Sequence, residues 1–202
     1  MSGTETDTVA ALRELKRNLE YDYIRGDVED LISESEDGIE RVKKIGPTHV
    51  FLQAFADPDG NGSADALYFP NRHLPMRADL FNRVAWQLKT RAGVKVYAWL
   101  PVLGYELPDP AQKQALGIAS PEKDGMYRMD FTKPAARQII LDIYEDLAIN
   151  SYFEGLLFHD DAYVRDTELT GLAQEGLDGN RTQALIDFTL ALRDRAQRWR
   201  PK

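Results

Sequence analysis

Carboxylates crowd a few short stretches of this sequence. Glu20 and Asp22 stand two apart in Leu19–Ile24. Asp57, Asp59 and Asp65 follow Gln53 within the loop-like DPDGNGSAD. His159-Asp160-Asp161 comes directly after the apolar Gly155-Leu156-Leu157-Phe158, with Asp166 and Glu168 close behind. Two carboxyl groups facing each other across a sugar are the equipment of glycoside hydrolysis: one protonates the leaving oxygen, and the other is a nucleophile or activates water. Acidic loops are more often solvated surface than active site, so their position in the fold has to decide. Residues suited to a saccharide groove share the same stretches. Tyr68, Phe69, Asn71, Arg72, Tyr105, Tyr127 and Phe131 combine flat apolar faces with hydrogen-bonding tips. Tyr97 and Trp99, two apart in an apolar run, read instead as core. The candidate substrate-binding set is Glu20, Asp22, Gln53, Asn71, Arg72, Tyr127 and His159. His159 has two readings: it orients or tunes a neighbouring carboxylate, or it is a hydrogen-bonded strand-end residue, and the second is favoured.

Other chemistries are excluded or weak. The sequence has no cysteine, which removes disulfides and thiol catalysis. Asp57-x-Asp59-x-Asn61-Gly62 imitates the start of a calcium loop, but Tyr68 stands at the twelfth position, where such a loop carries Glu. A turn built on Gly and Asp explains the stretch better. His49, His73 and His159 lack metal-ligand spacing, and there is no nucleophile elbow, phosphate loop or dinucleotide fingerprint. No metal and no cofactor are expected. A net charge of −8 argues against nucleic acid as a partner. No run of 18 apolar residues is present, so no membrane-spanning helix is expected. The first residues lack the apolar core of an export signal, so the protein is cytoplasmic or the chain starts downstream of its signal.

The elements that must position these groups follow from hydrophobic period. Helical spacing over Thr6–Asn18 marks residues 1–18 as an N-terminal extension. Strands are predicted at Leu19–Ile24, His49–Phe55, Val94–Leu100 and Gly155–Phe158. Helices are predicted over Val28–Ile45, Arg77–Thr90, from Pro134 through Leu147, and over Arg181–Trp199, with a long loop spanning Gly104–Thr132. Alternating strands and helices imply a parallel sheet. Four βα units make half of a (β/α)8 barrel, so the fold class is α/β of the TIM-barrel type with only the first four units; a compact four-strand domain is the alternative. In either case ligand sites form at the C-terminal ends of the strands, where Glu20, Asp22, Asp160 and Asp161 are expected to cluster with Asp166 in reach.

Three longer stretches carry a family resemblance: VFLQAFADPDG (50–60), YFPNRHLPMRADLFNRVAWQLKTRAGVKVYAWLPVL (68–103) and GLLFHDDA (155–162). They resemble the C-terminal glycoside hydrolase domain of PgaB-type proteins, and DYIRGD (22–27), IYEDL (143–147) and ALIDFTLAL (184–192) agree. Residues 19–202 are thereby read as part of that domain. The resemblance implies binding and endo-glycosidic hydrolysis of partially deacetylated poly-β-1,6-N-acetylglucosamine, a biofilm polysaccharide. It implies a periplasmic or outer-membrane-associated setting for full-length members. It also carries over a catalytic cluster of Asp160, Asp161 and Asp166, with Asp166 the essential carboxylate. Nothing in the sequence resembles the family's metal-dependent deacetylase domain, so deacetylation is not assigned. A carbohydrate-binding module without catalysis, or an inactive fragment, is the alternative. Half a barrel has two open sheet edges, so the isolated chain is expected to self-associate, with hydrolysis weak or absent.

Overall fold

A computed structural model describes residues 23–26, 35–118, 126–165 and 181–200 of the chain. The expected helix over Thr6–Asn18, and Glu20, Asp22 and Asp166, lie outside the described residues. Four parallel strands form one sheet: β1 (Tyr23–Gly26), β2 (His49–Gln53), β5 (Lys95–Leu100) and β6 (Gly155–Phe158), adjacent in that order. Helices connect them: α1 (Ser35–Ile45) before β2, α2 (Phe81–Gln87) before β5, and α4 (Pro134–Asn150) before β6, while α5 (Arg181–Gln197) follows β6. A two-stranded antiparallel pair, β3 (Phe55–Ala56) with β4 (Ala66–Leu67), rises from the end of β2, and a short helix, α3 (Pro110–Leu116), lies after β5. This is the expected alternation, and its sheet is half of a TIM-type barrel.

Period-two alternation gives the sheet two different faces. On the helix side Val50, Leu52, Val96, Ala98 and Leu100 are fully buried against Val42, Leu88, Ile140, Ile143 and Leu147. On the other side His49, Phe51, Gln53, Tyr97 and Trp99 are only half-buried. In a closed barrel that second face is interior; in a four-stranded half it stays partly open. Tyr97 and Trp99, expected as core, therefore line this aromatic inner face. Tyr97 meets His49 and Phe51 edge-on, with ring centroids 5.5 and 5.7 Å away. Its register partner on β6 is Gly155, where a Cβ would stand 2.2 Å from the Tyr97 ring.

Several boundaries differ from the sequence reading for identifiable reasons. The described part of β1 ends at Gly26, so β1 contributes Arg25–Gly26 to the sheet's C-terminal edge; the expected strand end at Ile24 is corrected. The helix expected from Arg77 begins at Phe81, because the backbone before it is used elsewhere: Arg77 N–H donates to Leu67, and Leu80 and Phe81 N–H both donate to Tyr68. Helix α2 continues as a wider turn over Leu88–Ala92 and stops at Gly93, whose φ of 70° suits a residue without a Cβ. Helix α3 sits inside the expected loop. Asp109 caps it by accepting from Ala111 N–H at 3.0 Å, but it buries no residue and so has no apolar stripe to announce it.

Candidate active site at the C-terminal edge of the sheet

The four strands point their C-terminal ends the same way, and the described segments that follow β2, β5 and β6 meet there. The best-defined group is Asp161, three residues beyond β6. Its side chain is fully buried. Its oxygens accept from Val102 N–H at 2.9 and 3.0 Å, Leu103 N–H at 2.6 Å and Gly104 N–H at 2.7 Å. Three consecutive amides of the loop after β5 thus form a cradle around a carboxylate from the loop after β6. The carbonyl just before that cradle, Pro101 O, accepts from two buried phenols, Tyr105 at 2.5 Å and Tyr144 at 2.9 Å. Burial pushes both phenols well above their ordinary pKa. Burial also pushes the Asp161 carboxyl up from the ordinary carboxylate value, against the opposing pull of the three amides and of His159. Gly104 is tightly placed: a Cβ there would stand 3.3 Å from Gly62 O and 3.4 Å from Asp161 Oδ2.

Asp160 and His159 are presented by this locked segment. Asp160 is exposed, and its carboxylate has no partner among the described residues. His159 N–H donates to Leu100 O at 2.8 Å, which continues the β5–β6 ladder by one residue. Its ring stacks on Trp99 (centroids 5.2 Å, 19° between planes) and meets Phe55 edge-on at 5.6 Å. His159 Nδ1 is buried with no hydrogen-bond partner among the described residues, 4.0 Å from Asp161 Oδ1. His159 thus extends the strand ladder through its backbone, while its ring nitrogen faces Asp161 without a hydrogen bond. Gln53 is the register partner of Trp99, and its Nε2 donates to Phe55 O at 2.9 Å. Gln53, Trp99, His159 and Asp160 therefore share one corner, with Phe55 buried against its two rings and an exposed carboxylate at its rim.

The loop after β3 is the second acidic group. Asp57 accepts from Asn61 N–H at 3.0 Å and Gly62 N–H at 2.8 Å, and Asp59 accepts from Asn61 N–H and Nδ2 at 3.2 and 2.9 Å. Asn61 Nδ2 also reaches Glu106 at 2.9 Å. These bonds, with positive φ at Gly60 and Gly62, build a tight turn. Ligand atoms of Asp57, Asp59 and Asp65 lie within 4.8 Å of one another. The Asp65 carboxyl is raised, first by burial and then by Glu106, Asp59 and Asp57.

Three of the expected groove residues are engaged elsewhere. Arg72 is placed against helix α4: its Nε donates to Asp146 at 2.9 Å, and Nη2 to Glu145 at 2.9 Å and to Asp142 O at 3.1 Å. Asn71 Oδ1 accepts from His73 and Leu74 N–H at 3.0 and 2.7 Å, which shapes the loop that delivers Arg72. Neither joins the Trp99–His159 corner. Tyr127 is half-buried behind the acidic turn. Its backbone exchanges hydrogen bonds with the Ser63 hydroxyl at 2.9 Å, and its own hydroxyl donates to Lys113 O at 2.6 Å. Burial pushes that phenol up to about 12. Sequence reasoning missed Trp99 as a floor residue. The signal was available: it belongs to an apolar strand whose inner-facing positions line a barrel interior.

Comparisons with known proteins agree with the fold. The model of hypothetical glycosyl hydrolase family 13 matches residues 19–200. A poly-β-1,6-N-acetyl-D-glucosamine N-deacetylase from Escherichia coli K12 is 40% identical over 79% of this chain, and the chain spans 28% of that relative's length. The PgaB (BpsB) glycoside hydrolase domain from Bordetella bronchiseptica superposes with a TM-score of 0.75 at 39% identity, covering 88% of this chain and 61% of that domain. An α-L-fucosidase from Paenibacillus thiaminolyticus, 18% identical with a TM-score of 0.55 over 88% of this chain, shares the fold alone.

Proposed function

This chain belongs to hypothetical glycosyl hydrolase family 13, and we propose that it binds partially deacetylated poly-β-1,6-N-acetylglucosamine and hydrolyses it at internal linkages, with Asp166 as the essential carboxylate. The observation that carries the reading is the division of labour at the end of β6. Asp161 spends its oxygens on the backbone of the neighbouring loop, and this fixes the segment that presents Asp160 and His159. Asp161 is then a positioning residue, and Asp160 is the exposed carboxylate that meets sugar. A sugar ring laid on the exposed part of Trp99 would bury its apolar face on the indole. Its hydroxyls would face Gln53, and an ammonium on a deacetylated unit would be attracted by Asp160. Clustered carboxylates raise one another's pKa, the usual way an acid stays protonated near neutral pH. Asp166, six residues after Asp160, would supply that acid. Glu20 and Asp22 precede β1 in the chain, whose C-terminal end is Gly26, so the expectation that placed them at the C-terminal edge with Asp160 is not carried into this proposal. The setting proposed for the full-length protein is the periplasm or the outer membrane.

One observation favours a second reading. Among the described residues, Asp160 is the only carboxylate on the segment His159–Asp161 that is free of protein partners, and hydrolysis needs two carboxyl groups. A module that holds the polymer without cutting it would need no more than this. A reducing-end assay on defined oligosaccharides separates the two: release of shorter oligomers that vanishes in Asp166→Asn supports hydrolysis, and binding without release supports the module.

Self-association is proposed as well. Among the described residues no strand pairs with the outer edge of β6. Leu156 and Phe158 are only partly buried there, whereas the matching residues of β2 and β5 are fully buried. A cavity of about 700 Å³ separates β6 from α5, and Ile186 and Leu190 are exposed on α5. Open parallel edges flanked by apolar surface favour pairing with another chain.

A further inference from the structure

Helix α2 turns Phe81, Val84 and Ala85 into the core and leaves a different face in solvent. That face carries Asn82, Arg83, Trp86 and Gln87, spaced three and four apart, so they lie along one stripe, with Asp79 just before the helix. Together they line a shallow depression of about 480 Å³. Trp86 is 57% exposed, the largest exposure of any large apolar side chain among the described residues. A surface that docks another protein tends to be a broad apolar patch. Here a single indole is ringed by polar side chains. Asn82 Oδ1 accepts from Tyr152 N–H at 2.8 Å, which fixes the amide and leaves its Nδ2 to solvent. No side-chain hydrogen bond within the described residues engages Asp79, Arg83 or Gln87.

We propose that this stripe is a second saccharide-binding surface, separate from the C-terminal edge of the sheet, which holds glucosamine-containing stretches of the polymer through stacking on Trp86. The proposal rests on the polysaccharide reading above. A flat ring with hydrogen-bonding groups around it is what a pyranose needs: the apolar C–H face lies on the indole, and the equatorial hydroxyls meet the surrounding amides and guanidinium. Asp79 adds a carboxylate for the ammonium of a deacetylated unit, and an indole face also attracts a cation. Arg83 and Gln87 donate to hydroxyl or acetamido oxygens. A long polymer touching both surfaces would be held more tightly than a short one that reaches only one.

The test uses the full chain in native gels cast with partially deacetylated poly-β-1,6-N-acetylglucosamine, alongside binding of a short oligosaccharide. Trp86→Ala should weaken retention by the polymer about tenfold, a change of about 1.4 kcal/mol. Binding of the short oligosaccharide at the sheet edge should be unchanged. Asp79→Asn should reduce the preference for deacetylated over fully acetylated polymer. Both side chains are exposed, so melting temperatures should match the unsubstituted chain. Three results would overturn the proposal: retention of Trp86→Ala equal to the unsubstituted chain, a changed oligomeric mass in that variant, or no retention of the unsubstituted chain at all. The first two leave the polysaccharide reading standing, and the third removes both.

Discussion

Replacing Asp161 should unfold the site from within. Its carboxylate accepts four contacts from three consecutive amides, at 2.6 to 3.0 Å, with no exposure to solvent. Asp161→Ala leaves Val102, Leu103 and Gly104 N–H without an acceptor in a buried place. Each unsatisfied buried donor costs about 1–3 kcal/mol, and partial relaxation with water entry recovers some of it, so the expected loss is about 3–5 kcal/mol. That is a large fraction of the 5–15 kcal/mol or so that holds a domain together. Asp161→Asn keeps one oxygen. Placed where Oδ2 now sits, it can still accept from Leu103 and Gly104, while the amide nitrogen faces Val102 N–H. The expected loss is about 1–3 kcal/mol. Urea titrations followed by tryptophan fluorescence measure both, and the midpoints should fall in the order unsubstituted, Asn, Ala. A loss in Asp161→Ala within about 0.5 kcal/mol, the range of ordinary surface changes, would refute the positioning role. If that stable variant also failed to cleave, Asp161 would belong to the chemistry instead.

Three further outcomes are expected. Gly155→Ala brings a Cβ to 2.2 Å from the Tyr97 ring and should cost about 1–3 kcal/mol of stability, with loss of the Tyr97–His49 ring contact visible in histidine chemical shifts. For the Arg72 network, burial opposes ionisation of Asp142 and Glu145, but hydrogen bonds from His73 and Gln138 to Asp142, and from Arg72 and Trp199 to Glu145, outweigh it and lower both carboxyls. A lowered folded pKa gives stability that is present above the ordinary carboxylate range and is lost as pH falls through the folded values. Melting temperature should therefore drop on acidification from the ordinary carboxylate value downward, and Arg72→Ala should flatten that acid limb; an unchanged limb would remove the network from the account. Light scattering over a concentration series should show mass rising above 22.9 kDa, and Leu190→Glu on α5 should shift the rise to higher concentration, whereas a monomer throughout would count against association along β6.

The architecture was legible because it rests on periodicity. Val50 and Leu52, and Val96, Ala98 and Leu100, alternate with inner-face residues, and the order of strands and helices then leaves a parallel sheet as the economical arrangement. Gly155–Phe158 matched its predicted span because a glycine and an acidic turn bound it. What sequence could not show is set by long-range contacts. Arg72 reads as a groove residue from its neighbours Asn71 and His73, but its partners Asp142, Glu145 and Asp146 are some 70 positions away. Tyr127 looks like a loop aromatic free to stack on sugar, yet Ser63 and Lys113 take its backbone and hydroxyl. The start of α2 was set by Tyr68, whose carbonyl captures two amides that a local pattern assigns to the helix. Within the site, sequence marked the His159-Asp160-Asp161 triplet, but it could not distinguish the carboxylate that is buried in a backbone cradle from the one that faces solvent.

The central claim is that this chain carries a glycosidase site built on the acidic segment after β6. The most direct measurement is mass spectrometry of products after long incubation of the purified chain with partially deacetylated poly-β-1,6-N-acetylglucosamine, alongside Asp166→Asn and Asp160→Asn. The account predicts slow release of internal oligomers by the unsubstituted chain, none by Asp166→Asn, and reduced release with weakened binding by Asp160→Asn. Polymer that is bound but never shortened, or equal cleavage by the unsubstituted chain and Asp166→Asn, would contradict it.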